Sequence, residues 1–521
     1  MAIPIKDFDQ LGRNCVSTGR AQAYYTLLVL VCVNLVNYMD RYTVATVLPD
    51  IQDYLNISDG PGGALQTVFI CSFMIFAPLC GFVGDRYSRK LCIIVGITIW
   101  CGAVLGSTFV QREQFGVFIF CRALVGVGEA SYATVTPAIL ADLFKGNART
   151  NALTLFYFAI PVGTGLGFAV GQEVATALDS WKWGMRVSPL IGLFLLLFIL
   201  FIQEPERGAA ETPGGTKRAI QKHSWLADIR VLLKNRSWIL ISLGFTTITY
   251  TTGTISWWAA AFIKYSQTFM VPNDYDETQG SLTFGLIVMI AGLLGTIAGS
   301  AVAQFWRRYN PRADPLVCGL GLYIAAPLIF LALVTSQYNV TATWVLLFIC
   351  VFLLSLNWAV SPDILLYTVL PEHRSTANSF QILLAHLLGD ATSPYITGVI
   401  SDAIQKQENS VYYHFLGLQR ALFIAAFVTA LGAFFYLATA WYVVGDRRKC
   451  AEKLRLQALM QAQARGTITD QPPISVLSSS SKDRPLDTYS SNSTLPMQAS
   501  RELVQQVDIS PPHEDDRIIY L

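Results

Sequence analysis

Arg122 and Glu129 lie inside an apolar run from about Phe115 to Phe144, long enough to cross a bilayer core that needs about 20 residues. Their spacing puts both on one helix face, about 10 Å apart. A charge at the bilayer centre costs about 2.5–3.5 kcal/mol, so that face must turn away from lipid. Two chemistries suit such a pair. A buried carboxylate can take and release a proton, its affinity raised by burial and lowered by a neighbouring arginine. A guanidinium can also receive an anionic group. The plainer alternative is an ion-pair network that only ties helices together.

The first apolar span offers partners. Asn34, Asn37 and Arg41 follow spacings of three and four and form one polar helical stripe, with Asp40 beside it. By depth along their spans, Asp40 and Arg41 stand near the level of Arg122 and Glu129. The second half of the chain carries Asp363, His386 and Asp390 within apolar spans. His386 precedes Asp390 by four residues, so the two meet on one helix face. A structural, hydrogen-bonded histidine is the alternative there.

The elements that must hold these residues are membrane helices. Of the 521 residues, 53% are hydrophobic and 14% charged, against about 25% charged in a soluble domain. The net charge of +2 points to no polyanionic partner and no nucleic acid. Twelve spans of crossing length are expected, centred on 24–48, 63–83, 91–110, 115–144, 150–175, 187–203, 237–264, 281–305, 314–335, 343–370, 375–402 and 415–444. Basic residues collect after the even-numbered spans, at Arg86, Arg89 and Lys90, at Lys145 and Arg149, and at Arg307, Arg308 and Arg312. By the positive-inside rule those loops and both termini are cytosolic.

The boundaries that follow are a cytosolic segment 1–23, a first six-helix bundle 24–203, a central loop 204–236, a second bundle 237–445 and a tail 446–521. The loop ends in SWLADIRVLLKN, whose apolar stripe behind Ser224 reads as a short interfacial helix. The tail, with its serine run and proline pairs, cannot bury enough apolar surface to order itself. It ends near EDDRII, where Glu514, Ile518 and Ile519 approximate an acidic di-leucine sorting signal for an adaptor. The two bundles repeat. Thr136-Pro137-Ala138-Ile139-Leu140 recurs as Ser361-Pro362-Asp363-Ile364-Leu365, each followed twelve positions after the proline by an arginine, Arg149 or Arg374. Gly81…Arg89-Lys90 recurs as Gly299…Arg307-Arg308. Duplicated halves with a site between them at the midplane are a construction of secondary transporters.

The most specific local motif is Gly81-Phe-Val-Gly84-Asp85-Arg86-Tyr-Ser-Arg89-Lys90. Its glycines permit close helix approach, and Asp85 can pair with the basic cluster. The motif resembles the signature of the major facilitator superfamily. The resemblance implies an all-α integral membrane protein with the major facilitator fold, twelve transmembrane helices in two six-helix pseudo-symmetric bundles. It also implies a conformational gate at Gly81, Asp85, Arg86, Arg89, Lys90, Arg149 and Arg374. Ala303 replaces the aspartate in the second copy, so the gate is expected to be asymmetric.

More closely, NYMDRYTVATVLPDI (37–51), RALVGVGEASYATVTPAILADLF (122–144), FYFAIPVGTGLG (156–167) and HLLGDATSPYITGVISD (386–402) resemble the Spinster branch. Its members move lysolipids and sphingolipids, several of them in lysosomes and linked to proton gradients. That resemblance implies that Glu129 with Asp40 handles the proton, that Arg122 biases those carboxylates, and that Arg41 receives an anionic headgroup. The partners implied are a lysophospholipid or sphingolipid, protons and the bilayer, in late endosomes or lysosomes. A plasma-membrane exporter of sphingosine-1-phosphate, a carrier of another small organic solute, and a receptor or scaffold on the same fold remain alternatives. No nucleotide loop, zinc motif or nucleophile elbow is present, so no cofactor or metal is expected, and an enzyme such as a lipid hydrolase is disfavoured.

Overall fold

The computed structural model describes residues 19–205, 225–270, 277–405 and 410–464. The first bundle comprises α1 (Arg20–Thr46), the short α2 (Leu48–Leu55), α3 (Asp59–Arg86), α4 (Arg89–Ser107), α5 (Phe115–Leu143), α6 (Gly146–Ala177) and α7 (Trp181–Ile199). After α8 (Trp225–Leu232) come α9 (Arg236–Met270), α10 (Glu277–Arg307), α11 (Ala313–Thr335), α12 (Val340–Ser355) and α13 (Asn357–Thr368). Then α14 (Arg374–Ala385), a π turn at His386–Asp390, α15 (Ser393–Gln405) and α16 (Val411–Ala464) complete the described chain.

Ten of these helical segments, with α12 and α13 counted as one, are apolar and long enough to cross a membrane. The threonine-rich α9 and the kinked α14–α15 make twelve. The helices are long because lipid leaves no other partner for backbone polar groups. Prolines inside them, such as Pro78, Pro137, Pro161 and Pro189, are accommodated by neighbouring helices. Small residues set the packing. A Cβ on Gly163 or Gly167 of α6 would strike the backbone carbonyls of Leu35 and Met39 on α1, and Gly165 meets Gly285 of α10 backbone to backbone. The Pro161–Gly167 run therefore packs closely against α1 and α10.

Two expectations need correction. Residues 446–464 are helical, because α16 runs on through Ala464; the stretch AEKLRLQALMQAQA consists of strong helix formers. Gly81 has open space around it, and only Gly84 serves close approach, against Val135. At the end of α8, Leu232 is buried while Leu233, just beyond the helix, is exposed. Ser224, Glu514, Ile518, Ile519 and the side chain of Asp85 lie outside the described residues.

Candidate functional site

The centre of the molecule is an ion cluster drawn from both halves. Arg41, at the C-terminal end of the polar stripe of α1, points its Nη2 at Asp390 Oδ2 at 3.3 Å and its Nη1 at Glu129 Oε1 at 4.0 Å. Asp390 in turn holds His386, whose Nδ1 lies 2.9 Å from Oδ1 and 3.1 Å from Oδ2. The two belong to the π turn between α14 and α15, where Gly389 leaves helical geometry. A Cβ at Gly389 would strike Thr249 Oγ1, so its absence leaves room for that hydroxyl, which donates to the Ala385 carbonyl at 2.9 Å. Irregular backbone at membrane depth is a mark of sites between transporter halves.

Arg122 stands behind this cluster. Its guanidinium lies 5.0 Å from the centre of the Phe69 ring, as does that of Arg41. It is 1% exposed, and none of its three side-chain nitrogens has a hydrogen-bond partner among the described residues. Two guanidinium groups thus share one aromatic ring, an arrangement a quadrupole can support. Nothing in the sequence around Phe69 signals this.

Asp40 is placed differently from its neighbour. Its carboxylate accepts from Trp100 Nε1 at 3.0 Å and from Ser188 Oγ at 2.5 Å, which ties α1 to α4 and α7. Asn34 likewise works inside the first half, donating to the Phe156 carbonyl at 2.7 Å and accepting from Tyr132 Oη. Asp363 does not join His386 and Asp390. It sits half-exposed on α13 and pairs with Arg307 at 3.3 Å, while Arg307 also holds the buried Asp314 at 2.9 Å. The three second-half residues therefore split between two places, because α13 carries Asp363 to the end of the bundle where the basic loops lie.

That end holds the Gly81–Lys90 motif and its repeat. Arg89 pairs with Asp142 of α5 at 2.5 Å, and its equivalent Arg307 pairs with Asp363 of α13, so each copy clamps the helix that carries the repeated proline. The Glu204 carboxylate accepts from Ser88 Oγ at 2.7 Å and from the Arg89 amide at 2.8 Å, capping α4. Lys90 donates to the Leu200 carbonyl at 2.5 Å, and Arg86 stacks on Phe82 at 3.5 Å. Arg374 Nε donates to the Val369 carbonyl at 3.1 Å, and Arg149 stands partly buried in the first turn of α6. The second copy has a buried alanine, Ala303, where the first has Asp85. The copies are built differently.

The opposite end joins the halves. Asp402 of α15 accepts from Ser58 Oγ, the Asp59 amide and the Gly60 amide at 2.8, 2.9 and 2.8 Å. A side chain of the second half thereby caps the N-terminus of α3 in the first. Asp59 accepts from Gln52 within its own half and from Ser401 and Gln405 across the boundary. Lys264 pairs with Asp50 at 3.0 Å, and Phe168 packs edge-on against Phe284. Further in, Thr67 donates to the Ala391 carbonyl at 2.5 Å and Phe73 meets His386. Past that level α3 turns Ile75, Leu79, Phe82 and Val83 outward, and α14 exposes Ile382 and Leu383. Sequence reasoning missed this closure because Asp59 and Asp402 read as ordinary span ends. A separate apolar pocket inside the second half, lined by Ile255, Phe262, Ile329, Leu333 and Leu422 among others, has no charged group and lies away from this chemistry.

Comparison with known proteins decides the family. The model of the Major Facilitator Superfamily matches residues 30–394. Protein spinster homolog 1 of Mus musculus is 46% identical over 453 residues, which cover 85% of this chain and 85% of that protein. The chain is a Spinster-family member of the Major Facilitator Superfamily. Protein spinster of Drosophila melanogaster is 39% identical over 498 residues, 86% of this chain and 81% of that one. A solved structure, described as a bacterial homolog to the human lysosomal transporter Spinster in an inward-facing and unoccupied conformation, aligns with a TM-score of 0.72. It is 17% identical and covers 82% of this chain and 99% of its own, a likeness of fold. This Spinster-family chain is a multi-pass membrane protein of a transporter family.

Proposed function

We propose that this Spinster-family protein moves a single-chain lysophospholipid or sphingolipid across the membrane by alternating access, coupled to protons, with efflux from late endosomes or lysosomes as its direction. One observation carries the reading: Arg41 of the first half is shared between Glu129 of its own half and the Asp390–His386 pair of the other. A cation placed between carboxylates on two rocking bodies links headgroup binding, protonation and the relative position of the halves. An anionic headgroup competes for Arg41. A proton on Glu129 or Asp390 frees Arg41 to receive it. Asp40 and the unpartnered Arg122 set the charge around Glu129 from behind.

The basic loops are cytosolic on this reading, and the closure at Asp50, Asp59 and Asp402 lies on the lumenal side. The molecule then opens toward the cytosol, with the Arg89 and Arg307 clamps, together with Arg86, Lys90, Arg149, Arg374 and Asp85, as parts of the gate that closes that side. The lysosomal assignment draws on how the bacterial homolog is described. The Glu514–Ile519 segment supplies the adaptor signal, and substituting Glu514, Ile518 and Ile519 in a fluorescently tagged chain is expected to redistribute it to the cell surface.

The test is lysophospholipid flux in proteoliposomes under an imposed pH gradient. Glu129→Gln is expected to abolish the pH dependence, and Arg41→Ala to remove the dependence on headgroup. Wild-type rates and pH profiles from both variants would refute the assignment of the site. Mass spectrometry of the recovered lipid checks that it crosses unaltered, since a cleaved or transferred product would indicate an enzyme.

A further inference from the structure

The central ion cluster and the Asp59–Asp402 closure are joined by a stripe of buried polar side chains. Ser393, Thr397, Ser401 and Gln405 recur every fourth residue along α15 and are at most 9% exposed. The stripe begins three residues after Asp390 and extends about 18 Å by helical rise. Its far end is bonded to Asp59: Ser401 Oγ and Gln405 Nε2 each donate to Asp59 Oδ2 at 2.7 Å, and Gln405 Nε2 lies 3.0 Å from Ser401 Oγ.

Its middle has no such partners. Ser393 Oγ and Thr397 Oγ1, on side chains 0% and 1% exposed, make no hydrogen bond among the described residues. On the facing helix α9, Thr254 Oγ1 and Trp257 Nε1 are equally buried and unpartnered. A Cβ on Gly253 would stand 2.7 Å from Asp390 Cβ and 3.0 Å from Ser393 Oγ, so α9 meets the stripe at its start, and Thr254 and Trp257 follow within about a turn. Leaving buried donors unpaired is unfavourable. Helical threonines ordinarily bond back to the preceding turn, as Thr252 does to the Ile248 carbonyl. Side chains four apart on a helix have Cβ atoms about 5–6 Å from each other, a gap that one water with two hydrogen bonds of about 2.8 Å bridges. A third partner for such a water would come from the α9 groups.

We propose that this stripe holds a file of waters that passes a proton between Asp59 and the Asp390–His386 pair along α15, on the side where the two halves are closed. A proton arriving at an Asp59 oxygen is handed to Ser401, through water to Thr397 and Ser393, and to an Asp390 oxygen. Each hydroxyl accepts one proton and releases one, so nothing in the file is consumed. The charged and titratable groups facing its ends are Asp402 and His414 at Asp59, and Arg41, His386, Glu129, Tyr38 and Tyr42 at or near Asp390. Lys264 of α9 is paired to Asp50 at the outer end.

The inference rests on the proton coupling proposed above, and the test separates the two. Full-length protein is reconstituted in liposomes, and pH-driven accumulation of a lysophospholipid is divided by its gradient-free exchange for wild type, Thr397→Val, Thr397→Ser and Ser393→Ala. Thr397→Val is expected to lower the ratio about tenfold, the rate equivalent of one lost hydrogen bond of about 1.4 kcal/mol, and Thr397→Ser to keep it. Ser393→Ala should lower it as well, which keeps the test open should Thr397→Val fail to fold. If wild type is coupled and both hydroxyl-deleting variants match its ratio, the water file is wrong and the coupling stands. If wild type shows no pH-driven accumulation, both fall.

Discussion

Replacing Asp402 should unlatch one end of the molecule. Its carboxylate accepts three hydrogen bonds from the start of α3, every one of them crossing between the halves. The site is partly exposed, so the lower range applies, about 1 kcal/mol per bond, or about 3 kcal/mol for the set. Asp402→Ala forfeits all of it, a shift of about 150-fold in the balance between closed and open forms of that end. Asp402→Asn keeps one carbonyl acceptor and loses the charge; about half the set, about 1.4 kcal/mol, gives roughly tenfold. Spin labels at Asp53→Cys and Val411→Cys, both exposed on opposite halves, report the separation by pulsed dipolar spectroscopy, on a background stripped of reactive cysteines. The long-distance population should grow in the order wild type, Asn, Ala. Thermal unfolding should move little, since Lys264–Asp50 and the Phe168–Phe284 contact remain. Identical distance distributions in all three proteins would show that the cap across the halves contributes nothing to closure.

Five other substitutions test the packing and the clamps. Trp100→Phe removes the indole donor from the buried Asp40 and is expected to cost about 1–3 kcal/mol, read as a lower Tm in detergent; combining it with Ser188→Ala should be non-additive, because both serve one carboxylate. Gly165→Leu forces a side chain between α6 and α10 where backbones touch, an overpacking expected to cost about 1–3 kcal/mol and to show as a reduced monodisperse fraction on size exclusion. Arg307→Ala strands the buried Asp314 and releases Asp363, with an expected loss of about 3–5 kcal/mol, whereas Asp363→Ala, at the half-exposed partner, should cost no more than about 1 kcal/mol. Equal Tm losses from the last two would contradict the ranking of the two carboxylates.

The scaffold was legible in the residues because lipid imposes length and apolarity on every crossing, and because the duplicated motifs mark corresponding places in the two halves. Arg41, Glu129, His386 and Asp390 could be picked out for a related reason: a charge in an apolar span must have a partner. That logic names the residues that need partners without assigning them. Arg41 and Asp40 are adjacent, yet a step of about 100° around the helix sends one to Asp390 and the other to Trp100 and Ser188. Asp363 fell in the wrong group because hydropathy does not fix depth within a span. The Asp59–Asp402 closure was invisible because polar residues at span ends are ordinary, and only the tertiary fold brings a carboxylate of one half over a helix start of the other. The helical extension to Ala464 was hidden by averaging its composition with the serine- and proline-rich sequence that follows.

The ring shared by two arginines has a mechanical consequence. Arg41, Arg122 and Phe69 all belong to the first half, whereas Asp390 and His386 belong to the second. In the proposed alternating access, rocking keeps Arg41 and Arg122 together on Phe69 and draws Arg41 away from Asp390. The protein is wired like a plug and socket, with the positive pins on one body and a negative contact on the other. On the proposed mechanism, each disengagement leaves the pins short of one negative charge, the place an anionic headgroup would take.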